Sequence, residues 1–144
     1  LPHRRPDWIN FDDCYLLGVC SRPRAFDQLA NDRVAPALKE TLAFLEARSA
    51  WRLHALVVMP DHLHWLALVP PSTDLRHTVT HWKRYVARLH GVVWQRDFFE
   101  HRLRASERGR EKLEYLRQNP VRAGLVKTPC DWPYFWSWPS PHVR

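Results

Sequence analysis

The 144-residue sequence predicts an α+β fold: an antiparallel sheet with two helices on one face and an additional helix near the C-terminus. Three observations lead there. Four short apolar stretches have strand composition, two longer stretches repeat their apolar residues at helical spacing, and they follow one another as strand, helix, strand, strand, helix, strand. That order is the split βαβ pattern of ferredoxin-like domains, in which the third strand is central. The chain is read as a single domain over residues 1–144, with no repeat and no apolar run of membrane-spanning length.

Residues 1–12 are polar and proline-bearing, and with Arg4, Arg5 and Trp8 they read as a loose lead-in whose missing Met points to a trimmed N-terminus. Cys14 to Cys20 is apolar and ends at Ser21-Arg22-Pro23, as a buried first strand does. From about Asp32 to Ser49, Val34, Leu38, Leu42 and Leu45 recur at helical spacing, with Asn31 or Asp32 as the cap and Pro36 confined to the first turn. Trp51 to Met59 and Leu63 to Val69 form a hairpin around Pro60-Asp61, closed by Pro70-Pro71. After the cap cluster Ser72-Thr73-Asp74, the residues Leu75, Val79, Trp82, Val86 and Leu89 make one apolar stripe that stops at Gly91. A fourth extended segment runs from Val92 through Phe98-Phe99 towards Leu103. A short, mostly charged helix from about Glu107 to Gln118, with Ser106 as its cap, ends at Asn119-Pro120. It is the natural cover for the sheet face the first two helices leave open. Residues 121–144, with Trp132, Tyr134, Phe135, Trp136 and Trp138 among prolines, read as an irregular segment laid on the body.

A net charge of +7 and a pI near 9.8 are those of a nucleic-acid binder, and eight tryptophans offer planar partners for unpaired bases, although most are packing residues. Arg76, Lys83, Arg84 and Arg88 on the second helix are either a solvated surface or a rail for backbone phosphates. Cys14, Cys20 and Cys130 form no C-x-x-C pair, so buried thiols in a reducing, cytoplasmic setting are expected.

The chemistry concentrates at His62 and His64. Alternation along a strand puts both imidazoles on one face, about 6 to 7 Å apart, with Leu63 and Trp65 on the other. Two neutral imidazoles so held can share a metal ion, or can be hydrogen-bonded histidines at a strand end. On the third predicted helix Tyr115 and Asn119 lie four residues apart on one face, a nucleophile and an amide ligand if that face lies over the histidines. Equally, Tyr115 can be a packing aromatic and Asn119 the cap of the turn at Pro120. His77 and His81 share metal-ligand spacing on the second helix but have no evident acidic third partner.

Met59-Pro60-Asp61-His62-Leu63-His64 resembles the histidine-hydrophobe-histidine (HUH) signature M-P-N/D-H-x-H of single-tyrosine transposases. The segment from Tyr115 through Asn119-Pro120-Val121-Arg122-Ala123-Gly124-Leu125-Val126 is similar to the Y-x-x-x-N-P-V-x-A-G-L-V block of their REP-associated branch, REP being repetitive extragenic palindromes. Val93 to Arg104 resembles that branch's V-W-Q-x-x-F-x-x-H-x-x-R segment, and Asp131-Trp132-Pro133-Tyr134 its closing D-W/Y-P motif. The resemblance implies a ferredoxin-like fold, His62 and His64 as metal ligands with Asn119 as the third, and Tyr115 as nucleophile. It implies Mg²⁺ or Mn²⁺ as cofactor, and strand cleavage and rejoining through a 5′-phosphotyrosine. The implied substrate is a REP hairpin with a short single-stranded flank; from the charge pattern, Arg4, Arg5, Arg76, Lys83, Arg84, Arg88 and Arg104 are expected to contact DNA. The implied setting is the bacterial cytoplasm, at the nucleoid, as a monomer or homodimer. The first strand departs from the family's H-V-T-x-R pattern, reading Leu17-Gly18-Val19-Cys20-Ser21-Arg22. The rivals are a non-catalytic nucleic-acid-binding module, which the lack of a glycine-aromatic RNA-binding signature disfavours, and a metal-dependent hydrolase with a merely structural Tyr115.

Overall fold

The structure is a computed structural model that describes residues 14–104 and 109–138. Its elements are β1 (Cys14–Cys20), α1 (Val34–Ala47), β2 (Arg52–Val58), β3 (His62–Leu68), α2 (Leu75–His90), β4 (Phe99–Arg102), α3 (Gly109–Arg117), α4 (Asn119–Arg122) and β5 (Phe135–Ser137). The strands form one antiparallel sheet in the order β4-β1-β3-β2-β5, with β3 in the middle as the split βαβ order requires.

Strand alternation sorts the sheet into two faces. On one, Leu17, Val19, Leu56, Val58, Leu63 and Trp65 pack against Val34, Leu38 and Leu42 of α1 and Val79, Trp82 and Val86 of α2. Both helices start on side-chain caps: Asn31 Oδ1 accepts from the N–H groups of Arg33 and Val34 at 3.1 and 2.9 Å, and Asp74 accepts from His77 N–H. Gly91 closes α2 with φ 71°, a left-handed conformation that glycine adopts without strain. The opposite face carries Cys14, Leu16, Ala55, Val57, Met59 and Leu66, covered in part by Leu113 and Leu116 of α3. Alternation places His62 and His64 on this second face, with Leu66.

Four sequence expectations are corrected. The C-terminal segment is not wholly irregular: β5 pairs with β2 from Val57↔Phe135 to Ala55↔Ser137, and Trp132 Nε1 donates to the Val58 carbonyl at 3.0 Å. The fourth extended segment is mostly loop, since only Phe99–Arg102 is strand and Trp94 makes a single bridge with Ser21. Leu89 is 55% exposed and leaves the α2 stripe to Val79, Trp82 and Val86. Of the three thiols only Cys14 is buried, which pushes its pKa up to about 12, whereas Cys20 is half-buried and Cys130 exposed.

Candidate active site: a histidine pair and a tyrosine helix

His62 and His64 sit at the start of the central strand with ring centroids 5.2 Å apart. His62 Nδ1 lies 2.9 Å from Asp61 Oδ1, and His64 Nδ1 lies 3.3 Å from the Leu17 carbonyl oxygen. A carbonyl or carboxylate oxygen only accepts, so in both rings Nδ1 carries the hydrogen, and in a neutral ring Nε2 then keeps its lone pair. This is the arrangement of metal-ligating histidines, whose second nitrogen is anchored by an acceptor behind them. Burial, reinforced by the His62 charge and opposed by the Leu17 hydrogen bond, pulls the His64 pKa down to about 4, so this ring is neutral at physiological pH.

Asp61 is itself held. Its carboxylate accepts from Arg24 Nε at 2.8 Å and from the Ala25 N–H at 2.7 Å. Burial pushes this carboxyl up, but Arg24, the Ala25 N–H and His62 outweigh burial and hold it well below the usual carboxylate range.

The register Gly18↔His64 explains a residue the sequence reading passed over. A Cβ on Gly18 would meet His64 Nδ1 at 2.5 Å and Cε1 at 2.7 Å, so only glycine leaves room for this ring. A lone glycine inside an apolar strand is the signal that could have found it. Gly18, Cys20, His62 and His64 line a cleft of about 920 Å³, whose far wall is the 94–99 segment.

That wall corrects the reading of Lys83. Rather than facing DNA, its side chain is buried and its ammonium donates to the carbonyls of Gln95, Arg96 and Asp97 at 2.7, 3.0 and 3.1 Å. Three acceptors use all three protons of the group. Burial lowers its pKa, against the charge of Asp97. Arg76, Arg84 and Arg88 are exposed along α2, which packs on the sheet face opposite the histidines. Arg104 is exposed just beyond β4, and Arg4 and Arg5 lie outside the described residues.

Tyr115 and Asn119 are brought together, but not onto the cleft. Tyr115 is 53% exposed, with the Arg122 guanidinium stacked 3.8 Å from its ring centroid, and neither Tyr115 nor Asn119 lines the cleft. Arg122 Nη2 also donates to the Tyr115 carbonyl at 2.9 Å and approaches Asn119 Oδ1 at 3.5 Å. Both residues nonetheless belong to the layer on the histidine side of the sheet, because Leu116 is buried against Val57 and Leu66. Asn119 is the first residue of α4 and its carbonyl accepts from the Ala123 N–H, an ordinary helical bond; the cap position is Gln118, and no side chain caps this helix. Among the described residues no group of three His, Cys, Asp or Glu side chains is placed to hold a metal ion.

Residues 17–118 match the family model described as "Transposase IS200 like". The chain belongs to this family. It is 28% identical over 102 residues to the REP-associated tyrosine transposase of Escherichia coli (strain K12), an alignment covering 67% of this chain and 61% of that one. It is 29% identical over 97 residues to a Haemophilus influenzae protein named as a candidate of the same kind, covering 56% and 55%. The chain thus spans between 55 and 61% of the length of these relatives. A solved structure of a REP-associated tyrosine transposase bound to a REP hairpin has the same fold, with a TM-score of 0.74 over 100% of this chain and 94% of that one at 22% identity. No described helix is long and apolar enough to cross a membrane.

Proposed function

We propose that the chain is a metal-dependent single-strand DNA endonuclease and transesterase that cuts and rejoins DNA beside REP-type hairpins through a 5′-phosphotyrosine. The observation that carries this is the pair of imidazoles on one sheet face, both anchored through Nδ1 and both lining the same cleft. The donor set fits a divalent ion. The two imidazoles, joined by the amide oxygen of Asn119 once it is freed from Arg122 and brought onto the cleft, would hold Mg²⁺ or Mn²⁺, with imidazole favouring Mn²⁺ and cellular supply favouring Mg²⁺. When bound, such an ion neutralises phosphate charge and stabilises the negative charge that develops on its oxygens.

The protein's own residues supply the rest. Asp61 and the Leu17 carbonyl hold the Nδ1 hydrogens of both rings, and the Gly18 gap leaves room for the His64 ring beside β1. Tyr115 gives up its phenol proton to solvent, its Oη forms a bond to phosphorus, the bond from phosphorus to the 3′ oxygen breaks, and that oxygen takes a proton from solvent and leaves as a hydroxyl. Reversal on another strand joins ends without ATP. Because Tyr115 lies off the cleft, the DNA strand and the α3 face have to be brought together for attack. Exposed Arg76, Arg84 and Arg88 supply salt-sensitive backbone contacts, and the expected setting is the bacterial cytoplasm, at the nucleoid.

The separation of Tyr115 from the cleft also favours a second reading, a binding module without chemistry. Incubation with a REP hairpin carrying a single-stranded flank and Mn²⁺, followed by a denaturing gel, separates the readings. A covalent protein–DNA band supports tyrosine chemistry, cleavage without the band means hydrolysis by water, and neither leaves a binding module.

A further inference from the structure

The pairing register runs a row across three strands, His64↔Gly18↔Phe99. Since Gly18 has no side chain, the rings on either side approach over it, with centroids 6.3 Å apart and planes at 88°. Phe99 is nevertheless 51% exposed, on the rim of the cleft. An aromatic ring half in water beside a wide cleft gains little from packing and offers a stacking surface. The wall that carries it is held in place: Lys83 ties down three successive carbonyls, Gln95 N–H donates to the Cys20 carbonyl at 2.8 Å, and Trp94 Nε1 donates to the Lys83 carbonyl at 3.0 Å. Arg22 and Arg96 also line the cleft, and neither guanidinium has a protein partner among the described residues. Asp97 is the one acidic side chain in the lining.

We infer that this cleft seats one unpaired nucleobase of the DNA strand, stacked on Phe99, with the adjoining phosphates between the histidine pair and the two arginines. The volume of about 920 Å³ falls within the range of about 300–1,000 Å³ of small-ligand sites. An aromatic face accepts any base, so Phe99 holds the strand in place without reading its sequence. The inference rests on the reading of the chain as a protein that acts on single-stranded DNA, and deepens it by naming the residue that positions the nucleotide.

The test is a double substitution cycle in EDTA, so that no cleavage intervenes. The probe is a REP hairpin with a four-nucleotide single-stranded flank, each flank base being replaced in turn by an abasic site, and binding is followed by fluorescence anisotropy. With the wild-type chain, one flank position should lose about five- to hundredfold in affinity when its base is removed. With Phe99→Ala the same removal should change affinity less than twofold, and Phe99→Trp should restore the wild-type sensitivity. Equal losses in wild type and Phe99→Ala, or no sensitive position, overturn the Phe99 site while leaving hairpin binding intact. Failure of the wild-type chain to bind the intact hairpin overturns the DNA reading itself.

Discussion

The two halves of the candidate site are built differently. The histidine half belongs to the central strand, and its rings are fixed from behind by Asp61 and the Leu17 carbonyl and from the side by Gly18. The tyrosine half rides on a nine-residue helix that buries Leu116 and half-buries Leu113 against the sheet, its exposed side ordered by the Glu114–Arg117 ion pair at 3.0 Å and by Arg122 stacked on Tyr115. Exposed pairs of this kind hold a side chain weakly. A metal site gains from rigidity, because ligands already in place lose little freedom on binding. A nucleophile that must meet a strand and later release it gains from an element that can shift. On the proposed mechanism, the histidine half would be the prepared one and the tyrosine half the one that adjusts.

Substitution of the reacting groups should have the largest effect and strike both halves alike. Tyr115→Phe, His62→Ala and His64→Ala should each lower cleavage by at least about a thousandfold on a denaturing gel. Hairpin affinity by anisotropy should stay within about twofold. A Tyr115→Phe chain that still cuts at a comparable rate would remove the tyrosine half from the mechanism.

Gly18→Ala then separates the halves. The added methyl should weaken Mn²⁺ binding by about ten- to hundredfold in calorimetry, and should cost about 1 to 3 kcal/mol in thermal unfolding, since the ring it meets is hemmed in. Arg122→Ala, on the tyrosine side, should leave Mn²⁺ affinity unchanged and stability within about 0.5 kcal/mol. Matching effects from the two substitutions would erase the distinction.

Lys83→Met should cost about 1 to 3 kcal/mol, because three carbonyls lose a charged donor, and hydrogen exchange should rise at residues 95–99 but not along α3. The smallest effect concerns a group in neither half. Tyr134 donates to Asp32, and chiefly that bond, with some burial and the nearby acidic charge, raises its pKa from 10.0 to about 12. A raised folded pKa means that the stabilisation is fully present below pH 10 and is lost as pH rises towards 12. Ultraviolet titration should show one tyrosine ionising late, and Asp32→Asn should return it to the ordinary range.

Periodicity made most of the architecture legible. The spacing of Val79, Trp82 and Val86 located α2, and alternation put His62 and His64 together on one face. What it concealed depends on partners distant in sequence. Lys83 falls within the buried arc of α2, yet a lysine read alone goes to solvent, and only the loop carbonyls it meets explain its burial. Trp94 and Phe98 look like strand residues because they are apolar, but they belong to the wall of a cleft. The Tyr115–Asn119 pair was visible from helical spacing, whereas its distance from the cleft was not, since spacing fixes a helix face and not where the helix is set down. β5 was missed because three residues among prolines are too few to show alternation.

That last strand bears on how the chain is made. β2 is largely apolar and buried, and the partner that closes its outer edge, from Val57↔Phe135 to Ala55↔Ser137, lies about eighty residues further along. During synthesis β2 therefore emerges and pairs with β3 while its other edge is still open, a row of unpaired amide and carbonyl groups able to recruit a neighbouring chain. Translation must reach Phe135 before the sheet is sealed. A chain ending short of that point would keep the histidine pair and its anchors, and its first visible defect would be self-association on leaving the ribosome.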